Sequence, residues 1–153
     1  MSLRTITILM PVYNDWDSFS RLVKDIDQSA GELNHSKISI IAVDDGSTQQ
    51  VPVLNDKAEI YQYIQEISVL HLARNLGHQK AIALGIAYIN SNVACDFIFI
   101  MDADGEDRPE DIARLLEESN KHTGRVIFAR RTRRSEGVVF RIFISFIRSS
   151  LIS

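Results

Sequence analysis

The chain has 153 residues, of which 45% are apolar and 24% charged, with a formal net charge of -3 and a single cysteine. That length suits one domain with a substantial core, since a chain of this size buries roughly 70% of its unfolded surface, and the composition excludes low-complexity, repeat and disulfide-stapled classes. Charge is unevenly spread: after Glu118 the only acid is Glu136, against Lys121, Arg125, Arg130, Arg131, Arg133, Arg134, Arg141 and Arg148, so the C-terminal part predicts an anionic partner.

Thr5 to Pro11 is β-branched and apolar and predicts a first strand, which stops at Pro11-Val12-Tyr13-Asn14-Asp15. Phe19, Leu22, Val23 and Ile26 then fall at i, i+3, i+4 and i+7, one face of an amphipathic helix. Ile38 to Val43 predicts a second buried strand, closing on Asp44-Asp45-Gly46-Ser47-Thr48, where Gly and Ser permit a tight turn. Around Tyr61 and Ile64 the helical pattern is weak, and Ile67 to Leu72 predicts a third strand. Arg74-Asn75-Leu76-Gly77-His78-Gln79-Lys80 leads into a helix from about Gln79 to Ile89. Strand Phe97 to Met101, a helix from Pro109 to Ser119 and a short strand Val126 to Ala129 follow. Cys95, just before the fourth strand, has no partner motif and is read as structural. With no secretory pattern at the start of the chain, a reducing, cytoplasmic setting is expected.

Alternating strands and helices imply an α/β fold, a mostly parallel, doubly wound, Rossmann-like nucleotide-binding sheet. Ligands of such sheets bind beyond the carboxyl ends of the strands. That rule gathers Asp15, Asp44, Asp45, Asn75, Lys80, Asp102 and Asp104 at one rim, far apart though they are in sequence.

The densest chemistry follows the fourth strand, where Asp102, Asp104, Glu106 and Asp107 lie within six positions. Carboxylates spaced i, i+2 on an extended chain point the same way. Such a cluster raises its own pKa values unless a cation, basic residues or water offsets the charge, and hard oxygen ligands suit magnesium or manganese with substrate phosphates completing the shell. Asp107, just ahead of Pro109-Glu110-Asp111, is instead expected to serve the helix that follows.

Val138 to Ser153 differs in kind. Arg141, Ser145, Arg148 and Ser149 form a narrow polar stripe on an otherwise apolar segment. At about 15 residues it is short of the roughly 20 that span a bilayer, which predicts a C-terminal amphipathic helix lying in the membrane interface, beside the basic Arg130-Arg131-Thr132-Arg133-Arg134. The alternative for that segment is a core or dimer helix, and its exposed apolar end would invite homo-oligomers. The expected organisation is therefore a domain over 1–135 and the start of an interfacial segment over 136–153.

Taken together, Pro11-Val12-Tyr13-Asn14-Asp15, Val43-Asp44-Asp45-Gly46-Ser47, Arg74-Asn75-Leu76-Gly77-His78 and Asp102-Ala103-Asp104 resemble the inverting family 2 glycosyltransferases of the GT-A fold, in particular the polyprenyl-phosphate sugar transferases of the cell envelope. The resemblance implies that Pro11, Tyr13 and Asp15 line the nucleotide, where family members often carry Glu in place of Asp15. It implies that Asp44 reads the base, that Asn75, Gly77 and Lys80 stand beside the nucleotide, and that Asp102, Asp104 and Glu106 hold Mg2+ or Mn2+, Glu106 standing where this subgroup commonly has Gln. Arg130 matches a basic residue suited to donor pyrophosphate or acceptor phosphate. His78 has a family counterpart but no evident chemistry, and His35, His71, His78 and His122 are read as structural or surface residues. The implied partners are a UDP- or GDP-linked sugar, a polyprenyl phosphate and an anionic membrane surface at the cytoplasmic face, with no nucleic acid. A lipid phosphate needs no general base, which agrees with Glu136 being the only acid after Glu118. Family members continue well past this length, so the nucleotide half is covered better than the acceptor half. Two other classes compete: a non-catalytic nucleotide-sugar binding or membrane-recruitment module, and a phosphoacceptor receiver domain, whose usual terminal lysine is replaced here by Arg130.

Overall fold

The computed structural model describes residues 4–33, 36–52, 61–104, 106–122, 126–129 and 141–145. Its elements are β1 (Arg4–Val12), α1 (Trp16–Ser29), a 3-10 turn (Ala30–Glu32), β2 (Ser36–Asp44), β3 (Ile64–His71), α2 (His78–Asn92), β4 (Phe97–Ile100), α3 (Asp111–Lys121), β5 (Val126–Ala129) and β6 (Arg141–Ser145). They build one sheet in the order β3-β2-β1-β4-β6-β5. β3, β2, β1 and β4 are parallel, while β6 runs antiparallel to both β4 and β5.

The central strands are largely apolar because both faces of the sheet are covered. Ile6, Ile8, Met10 and Phe99 pack with Phe19, Leu22, Val23 and Ile26 of α1 and Ile112 and Leu116 of α3. Leu9, Ile41, Val43, Ile98 and Ile100 pack on the other face with Ala81, Ile82 and Ile89 of α2. Gly85 lets α2 lie close, since a Cβ there would sit 2.5 Å from Leu9 Cδ1 and 2.8 Å from Val43 Cγ2. Trp16 meets Phe19 edge to face, with ring centroids 5.5 Å apart, at the start of α1.

Two aspartates fix the edge opposite the strands' carboxyl ends. Asp96 accepts from Thr5 N and Thr5 Oγ1, each at 2.8 Å, joining the starts of β4 and β1. Asp27, in the last turn of α1, accepts from Gln62 N, Tyr63 N and Ile64 N at 2.8–3.0 Å and so sets where β3 begins. Burial pushes the Cys95 thiol above its usual pKa, which agrees with a structural rather than nucleophilic cysteine.

The expected C-terminal helix is corrected within the described residues: Arg141–Ser145 is strand β6. Arg-Ile-Phe-Ile-Ser carries β-branched and aromatic residues in alternation, so the run supports a strand as readily as a helical stripe. Pairing with β4 and β5 satisfies backbone groups that the edge of β4 would otherwise leave open. The rest of the expected helix lies outside the described residues. A receiver domain is excluded by topology, because that fold places β1 between β2 and β3, whereas here β1 lies between β2 and β4 and an antiparallel strand follows. No helix among the described residues is long and apolar enough to cross a membrane.

Candidate functional site

Four loops leave the carboxyl ends of β1 to β4, and side chains lace them to one another. Asn14, after β1, adopts a positive φ of 53°, which Asn tolerates better than most residues. Its Oδ1 accepts from Thr48 N at 2.8 Å and Gln49 N at 3.0 Å, while Asn14 N donates to Ser47 Oγ at 3.0 Å. The β1 and β2 loops are thereby joined side by side, helped by Asp45 N donating to Val12 O at 2.9 Å.

Asp44 ends β2 and Asp45 follows it, both buried, and they turn to different partners. Asp44 Oδ1 accepts from Ser47 N at 2.8 Å, and its Oδ2 lies 2.9 Å from His71 Nδ1 at the end of β3. Burial on its own would raise the Asp44 pKa, but the hydrogen bonds of Ser47 and the His71 ring outweigh it and hold the carboxyl below its usual value. Asp45 accepts from Leu76 N at 2.7 Å and Gly77 N at 2.9 Å, fixing the loop between β3 and α2. Gly46 has φ 74°, and a Cβ there would meet Asn75 N at 2.5 Å, so the β2 loop and the Asn75 backbone touch only because residue 46 is glycine. Gly77, φ 91°, stands at the N-cap of α2.

The link to the fourth loop is His78, the first residue of α2, whose Nε2 lies 3.3 Å from Asp102 Oδ1. Asp102 N donates to the buried Asp107 at 2.8 Å, and Glu106 N donates to Asp104 Oδ1 at 2.8 Å. β4 stops at Ile100 and residues 103–104 form a turn, so the extended i, i+2 geometry expected for Asp102 and Asp104 is replaced by a compact loop closed by Asp107. The buried Asp107, expected to serve the helix that follows, holds the Asp102 amide of the loop ahead of it.

The sequence-expected residues are distributed along this rim. Pro11 is buried inside β1, level with Val43; Tyr13 is 50% exposed; Asp15 is exposed at the start of α1. Asn75, Lys80, Asp104 and Glu106 are exposed, and Asp102 is partly buried. Arg130 lies outside the described residues. Among the described residues no three His, Cys, Asp or Glu side chains converge into a ready metal cage, so Asp102, Asp104 and Glu106 are not a preassembled triad. Such a donor set suits a hard divalent cation whose shell is completed by substrate phosphate and water. Sequence reasoning missed Asn14, His71 and His78. The signal for Asn14 was present, since Asn just past a strand end favours a turn; the two histidines become informative only once the topology puts each beside an aspartate.

The chain matches the model described as "Glycosyl transferase family 2" over residues 7–150. An undecaprenyl-phosphate 4-deoxy-4-formamido-L-arabinose transferase of Klebsiella pneumoniae is 29% identical over 119 residues, covering 78% of this chain and 35% of the relative. The chain therefore spans about a third of the length of the curated relatives it matches. Among solved structures, S. aureus TarS in complex with UDP-GlcNAc superposes with a TM-score of 0.62 at 19% identity, over 88% of this chain and 37% of that one. The mannosyltransferase PcManGT from Pyrobaculum calidifontis, in complex with GDP-Man and Mn2+, superposes with a TM-score of 0.59 at 17% identity, over 79% and 34%. These likenesses establish a GT-A glycosyltransferase fold.

Proposed function

The chain belongs to glycosyl transferase family 2, and on that premise we propose that it forms the donor half of an inverting transferase that moves a sugar from a nucleotide sugar to a polyprenyl phosphate at the inner face of the membrane. The observation that carries the reading is the lacing of the four rim loops to one another, Asn14 to Thr48, Asp45 to Leu76 and His78 to Asp102, with an exposed Tyr13 on the same rim. A preorganised rim is what differential binding of a transition state demands. Support also comes from the names of the relatives, which carry undecaprenyl phosphate, and from solved neighbours bound to UDP-GlcNAc or GDP-Man.

In this reading Pro11, Tyr13 and Asp15 bound the base and ribose, and Asp44 accepts a hydrogen bond from the base. Asn75, Gly77 and Lys80 flank the diphosphate. Asp102 and Asp104, with Glu106 close by, would hold Mg2+ or Mn2+, which supplies charge stabilisation to the departing diphosphate. Arg130, assigned from the sequence, supports the same charge or the acceptor phosphate. The acceptor oxygen is already ionised, so attack opposite the leaving group needs no proton to be removed. The basic cluster 130–134 and the apolar side chains Phe146, Ile147, Leu151 and Ile152 are assigned to an anionic bilayer surface.

Calorimetric titration with UDP and GDP, each with and without Mn2+, tests the donor site. One of the two is expected to bind, more tightly with Mn2+, and Asp104→Asn is expected to remove that metal-linked gain, a loss on the order of tenfold or more. Failure of both nucleotides to bind with Mn2+ would sink the reading. Binding without transfer to a polyprenyl phosphate would leave a donor-binding module.

A further inference from the structure

Asp44 cannot be understood apart from its neighbour. Asp44 and His71 are register partners at the ends of β2 and β3, and Leu72 N donates to Asp44 O at 2.9 Å, so the two Cα positions are fixed by the sheet ladder. The Asp44 side chain is 8% exposed and that of His71 61% exposed. Ser47 holds one carboxylate oxygen and the imidazole Nδ1 stands 2.9 Å from the other. We propose that His71 is a positioning residue for base recognition: it fixes the Asp44 carboxylate so that its remaining lone pairs face the nucleobase edge.

The inference rests on the donor-site reading and adds a specificity to it. A carboxylate held in its ionised form is an acceptor only. It therefore favours bases that present a ring N–H at the facing edge, as uracil and guanine do, over cytosine and adenine, whose ring nitrogen there is itself an acceptor. A site built to pair a donor rejects the analogue that lacks it, because its own buried polar group would be left unsatisfied. Without a partner at Oδ2 the Asp44 side chain would be free to rotate, and that discrimination would weaken. The side-chain partner of His71 is Asp44, at the end of β2, whereas Asp102 is met by His78.

Binding of UDP, GDP and CDP is measured by NMR titration, which reaches weak affinities, for wild type, His71→Phe, His71→Asn, Asp44→Asn and the Phe/Asn double variant. Wild type is expected to prefer UDP or GDP over CDP. His71→Phe should lose about tenfold in affinity for the preferred nucleotide and most of that preference. His71→Asn, whose amide can still donate to Asp44, should recover both to within about threefold. In the Asp44→Asn background the Phe substitution should have no further effect. An equal loss in that background would mean that His71 acts on the fold rather than through Asp44, and an unchanged His71→Phe protein would likewise overturn the inference. If wild type binds no nucleotide at all, the donor-site reading falls and takes this with it.

Discussion

Adjacent residues at a strand end can do unrelated work, and Asp44-Asp45 is the clearest instance here. Their acidity and position at the rim were legible in the sequence, but not their division of labour, since consecutive residues of an extended chain face opposite ways and the partner of each comes from a different part of the fold. Asp45 is spent on the Leu76 and Gly77 amides, whereas Asp44 keeps a depressed pKa through Ser47 and His71 despite its burial. That depression predicts a pH effect whose sign is fixed. The folded state binds the Asp44 proton less readily than the unfolded chain, so its contribution to stability is complete above the unfolded carboxylate range and is lost as pH falls through that range to the lower folded value. Urea midpoints measured from about pH 6 down to about pH 3 should therefore fall less steeply in Asp44→Asn than in wild type. Parallel slopes in the two proteins would remove Asp44 as a source of the pH dependence.

At the scale of elements, the parallel strands were legible because a strand covered on both faces is a largely apolar, β-branched run ending in turn residues, and β1, β2 and β4 all have that form. β6 was not, because Arg141–Ser145 sits inside a longer apolar stretch whose composition permits a helix, and only the open edge of β4 decides between them. α2 was legible as a helix, but not its closeness to the sheet, which depends on Gly85 facing Leu9 and Val43. The consequence reaches the site, because α2 carries Gly77, His78 and Lys80 at its start. Gly85→Val should cost about 1–3 kcal/mol in urea denaturation, since the added atoms meet buried side chains that have nowhere to move. It should also weaken nucleotide binding by lifting the start of α2 from Asp45 and Asp102. Wild-type stability in this variant would show that the packing is looser than the 2.5 Å approach implies.

For the whole molecule, the sheet order makes its C-terminal strand internal rather than appended. Among the described strands β5 pairs with β6 alone, and β6 in turn covers the outer edge of β4, the strand that delivers Asp102 to the rim. Two truncations that look alike in sequence should therefore behave differently. Ending the chain at residue 145 leaves every described strand in place, so melting should be close to wild type, while affinity for anionic vesicles should fall if the apolar residues beyond that point contact the bilayer. Ending it at residue 140 removes β6, detaches β5 and exposes the edge of β4. Melting should then drop by roughly 10 °C or more and self-association should rise, because an unpaired, apolar strand edge recruits other chains. Thermal melts and sedimentation of the two truncated proteins separate these effects. If the shorter chain melts like the longer one, β6 contributes nothing to the sheet, and residues 141–145 return to the membrane-facing assignment that their composition first suggested.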